Sequence, residues 1–210
     1  MRNFFVYTWT VLDPFYFKLT RLTDLYDSSD RFNNIFRVRL TSYKGTDVTL
    51  SDGTKINKND TLLKIHLHNI RLINEMNSLQ SDIHKVLYLY KMVQQSLPGL
   101  AAYIQNLENN DQIKGIMGIT LLNKGCARLG FESFDITNPF YKCFKLLPSL
   151  AISMLATPTA SLSSLRKKQP KYIFMSKEKL FASCNKTHQH QILKQNLSSN
   201  TAFPSGHEKT

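Results

Sequence analysis

Asp60-Thr-Leu-Leu-Lys-Ile-His-Leu-His-Asn69 alternates apolar and polar residues on a period of two. That period is the signature of a strand half-buried in a sheet. It puts Lys64, His66 and His68 on one face and Leu63, Ile65 and Leu67 on the other. Upstream, Ile35–Tyr43 repeats the pattern, with Phe36, Val38 and Leu40 on one side and Arg37 and Arg39 on the other. Between the two lie Asp47–Leu50, a Ser51-Asp52-Gly53 turn, a short strand from Ile56 and a second turn at Lys58-Asn59-Asp60. Asp-Gly favours the positive φ values of tight hairpins. This block reads as a small antiparallel β-meander.

From Ile70 the apolar period lengthens. Ile73, Met76, Ile83, Val86, Leu87, Tyr90, Val93 and Leu97 recur three and four residues apart, as the buried stripe of a long helix. Asn77 or Ser78 breaks it near its start, Pro98-Gly99 ends it, and Leu100–Leu107 forms a further short helix. Next come a strand at Ile113–Thr120, a helix at Leu121–Leu129, a Gly130 cap and a strand at Phe131–Ile136. Gly115, Gly118, Gly125 and Gly130 mark close backbone packing in this strand–helix–strand unit. Pro139 starts a helix over 140–156 that Pro148 interrupts. Lys171–Met175 is the final strand, and Ser176 caps a helical turn over Lys177–Phe181. The expected fold is one α+β domain over 27–182. An aromatic-rich, helical segment over 1–26 precedes it, and a polar, disordered tail over 183–210 follows.

The chain has 210 residues, enough for one full core, and a formal charge of +12. Such a balance points to an anionic partner: a phosphorylated or acidic ligand, an acidic membrane surface, or nucleic acid. Residues 161–180 hold Arg166, Lys167, Lys168, Lys171, Lys177 and Lys179 against one acid, Glu178; such a run is ordinarily a solvated face. The aromatic start, the apolar 146–156 stretch and this basic run together suit a protein peripheral to a membrane, at its inner face. No window reaches the roughly 18 apolar residues of a span. Cys126, Cys143 and Cys184 lack metal-type spacing, and an odd number suits reduced thiols in a cytoplasm.

Few residues carry chemistry. If the strands at 35–43 and 62–68 share a sheet, Arg37, Arg39, Lys64, His66 and His68 form one cationic surface able to hold phosphate or carboxylate. Asn69 sits at the strand exit, where its amide could fix the turn or reach the ligand. The bland alternative is a hydrated outer sheet face. Zinc at His66 and His68 lacks a third ligand, so no metal or cofactor is expected. No Gly-x-Ser-x-Gly elbow, Walker loop or dinucleotide fingerprint is present. Glu132 and Asp135 fall on opposite faces of a strand, which fits paired or exposed residues better than a general base. Tyr88, Tyr90 and Tyr103 could stack on sugars or bases, but at helical spacing they read as core. The absence of any nucleic-acid motif disfavours that partner.

Four blocks in this order resemble the YkoP-like family of small proteins from spore-forming bacilli: Asn34–Leu40; Leu50–Ile56 running on to His66–Asn69; Ile116–Thr120 with Arg128–Glu132; and Tyr172–Lys177. The resemblance covers residues 4–182. Related domains accompany polysaccharide deacetylases, so it implies a setting in cell-envelope polysaccharide metabolism, with an envelope-polymer enzyme as a partner. It carries over no catalytic residues, because the paired-aspartate and His-x₃-His metal motifs of those enzymes are missing from this chain. Two function classes follow. The first is an accessory binding module for an anionic ligand or surface. The second is a small transferase or hydrolase acting on a phosphorylated or activated sugar or acyl group. In the second, His66 or His68 would be general base, and the Thr120 and Glu132 joint would line the pocket.

Overall fold

A computed structural model describes residues 22–25, 34–76, 78–79, 81–120, 125–140 and 169–185. Among the described residues, eight strands and three α-helices form the α+β domain. The strands are β1 Thr23–Asp24, β2 Phe36–Ser42, β3 Val48–Thr49, β4 Lys55–Ile56, β5 Thr61–Leu67, β6 Ile113–Thr120, β7 Glu132–Asp135 and β8 Lys171–Ser176. The helices are α1 Asn69–Met76, α2 Asp82–Gln105 and α3 over residues 177–185.

The main sheet has the order β1-β2-β5-β6-β8-β7. Only β5 and β6 run parallel; every other neighbouring pair is antiparallel. The expected meander is therefore interrupted. β2 pairs directly with β5, while β3 and β4 leave the sheet as a separate hairpin. The turns behave as the residues dictate: Gly53 takes φ 86° and Asn59 φ 76°.

One sheet face packs on helices. Val38, Leu63, Ile65 and Ile116 meet Leu97, Leu100 and Ile104 of α2 and Leu180 of α3. Ser96, buried in α2, receives the Ile35 N–H at 3.1 Å and so ties the helix to the entry of β2. The other face is covered in part by the β3–β4 hairpin, whose Leu50 and Ile56 close over Leu62, Met117, Tyr172 and Phe174. Tyr43 stands edge-on to Phe174 there, at 5.4 Å between ring centres.

Several expectations need correction. Pro98-Gly99 does not end the helix; α2 runs through it to Gln105. Proline removes one helical hydrogen bond. Here Leu97, Leu100, Ala101 and Ile104 are buried on both sides of it, and that packing outweighs the loss. Nor is the long apolar stripe buried throughout: Ile83, Val86 and Leu87 are 71%, 52% and 58% exposed. Between 83 and 93, apolar residues run most of the way round α2. The domain takes the face with Tyr88, Leu89, Met92 and Val93, which pack with α1 and Ile35. The helix expected at 121–129 is, in its described part, a 3-10 turn over Cys126–Leu129. It is closed by Gly130 at φ 91°.

The strands flanking that turn do not pair, because β8 lies between them. The helix expected over 1–26 falls mostly outside the described residues, and within it Thr23–Asp24 is the edge strand β1. The expected helix over 140–156 also falls outside, apart from a helical start at 139–140. Ser176 caps α3 as expected, its Oγ accepting the Lys179 N–H at 3.0 Å, and α3 continues through 185. The tail beyond 185 lies outside the described residues.

Candidate functional site

The register of β2 against β5 brings four of the candidate cations together. Arg37 stands opposite His66, and Arg39 opposite Lys64. Directly opposed residues have Cβ atoms about 4.5–5.5 Å apart. Asp24 of β1 faces Arg37, and its Oδ1 accepts from Nε at 3.0 Å. His68 lies just past β5, its own N–H bonded to Ile35 O at 2.8 Å. Its Nε2 is 3.0 Å from Arg37 Nη2. A guanidinium can only donate, so Nε2 accepts, and His68 is the neutral Nδ1–H tautomer in this arrangement. Beyond it, Glu75 of α1 takes hydrogen bonds from Arg71 at 2.8 Å and from the Tyr88 hydroxyl at 2.8 Å. Partial burial pushes the Glu75 carboxyl up, but those bonds and the charge of Arg71 outweigh it and hold it below the usual range.

This cluster is not the hydrated outer face of the bland reading. Lys64 is 4% exposed and Arg37 8% exposed, while Arg39, His66 and His68 are half-buried. Arg37 and Lys64 are the most buried of the five, and Arg39 Nε, His66 Nε2 and His68 Nδ1 are themselves shielded from solvent. None of the five is isolated; each has polar or electrostatic neighbours. Arg39 opposite Lys64 is nonetheless a like-charge cross-strand pair, an arrangement that costs stability. Asn69 opens α1, and its side chain lies outside the described set.

Thr120 and Glu132 do not join the cluster or each other. Thr120 aligns with Lys171 at one end of β8, and Glu132 with Phe174 nearer the other. Lys64, Met117, Phe174 and Glu132 form one cross-sheet row, so Lys64 and Glu132 are separated by three strand spacings, roughly 14 Å.

Glu132 instead anchors the β3–β4 hairpin. It accepts from Ser51 N at 2.9 Å, Ser51 Oγ at 2.6 Å and Lys179 Nζ at 3.0 Å. The neighbouring Asp52 accepts from the Ser176 hydroxyl and from Thr54 N. Partial burial raises both carboxyls, but the hydrogen bonds and the charge of Lys179 prevail and leave each below its ordinary value. The basic run at 161–180 is likewise not a uniformly solvated face where it is described. Lys171 pairs with Asp135 at 3.2 Å, Lys177 donates to Asn110 O at 2.9 Å, and Lys179 holds Glu132.

Two open clefts lie elsewhere. One, of about 260 Å³, is bordered by Leu40, Asn106–Asn109 and Ile113. The other, of about 330 Å³, lies between α2, the Ala127–Gly130 turn and α3. Among the described residues no helix is long and apolar enough to cross a membrane. No group of three or more histidine, cysteine, aspartate or glutamate residues there could hold a metal ion.

Comparison with known proteins places the chain. Residues 2–184 match the YkoP domain family. The chain belongs to the YkoP family. A relative from Bacillus subtilis (strain 168), described as "Uncharacterized protein YkoP", is 48% identical over 180 residues, covering 86% of this chain and 96% of that protein. No solved structure matches. The YkoP match takes in the whole described sheet and ends within α3. It therefore contains the cationic cluster, the hairpin anchor and the overhanging part of α2.

The sequence pointed to the five cations but not to their acidic partners. β1 is two residues long, too short for any periodicity to reveal Asp24. Glu75 lies on a helix whose docking angle no local pattern encodes.

Proposed function

We propose that the YkoP domain of this chain is a binding module that takes an anionic group, a phosphate or a carboxylate, at the cationic cluster of Arg37, Arg39, Lys64, His66 and His68. The observation that carries this reading is the β2–β5 register, which sets Arg37 opposite His66 and Arg39 opposite Lys64 on one face. Concentrating cations across one strand pair works against stability. The same grouping supplies several donors to one phosphate or carboxylate through charged hydrogen bonds. Arg39 and His66, less buried than Arg37 and Lys64, would touch the ligand first; Arg37, fixed by Asp24, would orient the site.

The family resemblance supports an accessory role in cell-envelope polysaccharide metabolism. Cys126 and Cys184 are in no disulfide, which suits a reducing cytoplasmic side. The rival reading, a transferase or hydrolase with a histidine base, has weaker support: the Nε2 lone pair of His68 is already directed at Arg37. The test is calorimetric titration of the full chain with inorganic phosphate, pyrophosphate and citrate, beside the Arg39→Gln/His66→Gln variant. At least one probe should bind the native chain, and the variant should bind it about tenfold or more weakly with an unchanged melting transition. Failure of all three probes to bind, or equal affinity in the variant, would overturn the reading.

A further inference from the structure

The amino-terminal half of α2 carries an apolar ridge that the domain does not use. Ile83, Val86 and Leu87 are more than half exposed, and with Tyr90 they form one stripe at three- and four-residue spacing. A monomer gains nothing from displaying such a stripe in water. The ridge is convex, being the free side of a helix whose opposite side packs with α1. Its described borders are cationic. Lys91 is exposed along the same helix, and the Tyr90 hydroxyl reaches Arg128 O at 3.5 Å, which places the exposed Arg128 at the ridge's shoulder. Past Tyr90 the ridge runs into the cleft of about 330 Å³ that Gln94, Pro98, Arg128 and Lys179 help to line.

We infer that this ridge is a docking face for an acidic lipid surface. Aliphatic side chains at the crest would enter the acyl boundary, Tyr90 would lie at headgroup depth, and Lys91 and Arg128 would meet lipid phosphates. Two features favour a membrane over a second copy of the chain. Three aliphatic residues and a tyrosine cover much less than the roughly 800 Å² per partner of a stable dimer. The cationic border and the net charge of +12 would repel a second copy and attract an anionic leaflet.

Flotation of the full chain with vesicles decides the matter. Phosphatidylcholine alone is compared with phosphatidylcholine containing about one third phosphatidylglycerol. The native chain should float with the acidic vesicles and not with the neutral ones. Val86→Ser/Leu87→Ser should reduce the bound fraction about tenfold at unchanged melting temperature. Lys91→Glu/Arg128→Glu should remove the preference for acidic lipid. Arg39→Gln/His66→Gln should float like the native chain, which separates this face from the cationic cluster. The inference is overturned if the native chain does not float, or if the serine variant floats equally well. It is also overturned if light scattering shows a native dimer that the serine variant dissolves without any flotation.

Discussion

At the scale of single residues, charge placement governs the chemistry. Glu132 and Asp52 both have depressed carboxyls in the folded state, so their contribution is present above the ordinary carboxyl range, about pH 4 to 4.5. It is lost as pH falls through the depressed folded values. Glu132→Gln should therefore lower stability by about 1 kcal/mol at neutral pH, the modest figure suited to a carboxylate 24% exposed. Its melting temperature should converge with that of the native chain under acid, and a gap that stays constant from pH 7 to pH 3 would contradict this account. His68 offers a second check: long-range proton–nitrogen spectra should report the Nδ1–H tautomer at neutral pH, and Arg37→Met should release it to a mixture of tautomers. Alternation along β5 identified which residues share a face, but it did not disclose that this face is partly covered. The Leu62-Leu63 doublet was the available sign, since two consecutive buried leucines need cover on both faces.

At the scale of elements, backbone constraints decide more than propensity does. Pro98 lies inside α2 with its side chain exposed, so Pro98→Ala restores a hydrogen bond without removing core contacts. It should raise stability by roughly 1–3 kcal/mol. A lower denaturation midpoint in urea would show that the proline ring itself is needed for packing. Gly115 in β6 behaves in the opposite way: a Cβ there would lie 2.5 Å from Met175 O of β8. Gly115→Ala should destabilise by about 1–3 kcal/mol through forced strand separation, measurable by the same titration. The strands were legible because β-branched and aromatic residues alternate in them. The extent of α2 was not, because a local rule at Pro98 was overridden by contacts remote in sequence. The exposure of Ile83, Val86 and Leu87 was hidden for a related reason: periodicity groups residues on a helix but does not say where the neighbouring layer stops.

At the scale of the whole molecule, the sheet is closed by two unequal layers, helices on one side and a hairpin on the other. Phe174 lies beneath the hairpin, fully buried against Tyr43, Phe134 and Tyr172. Phe174→Ala should cost about 3–5 kcal/mol, read as a fall in the urea midpoint, and a loss below about 1 kcal/mol would mean that the hairpin layer repacks freely. The order of strands also fixes an order of events at the ribosome. β8 lies between β6 and β7 although the chain reaches it last. β7 therefore leaves the ribosome without a partner and waits while the stretch from Asp135 to Lys171 is made, a delay of a few seconds at roughly 5–20 residues per second. During that interval β6 presents a bare edge, the kind of template that recruits foreign strands. A nascent chain stopped short of Ser176 is thus the form of this protein most in need of a chaperone.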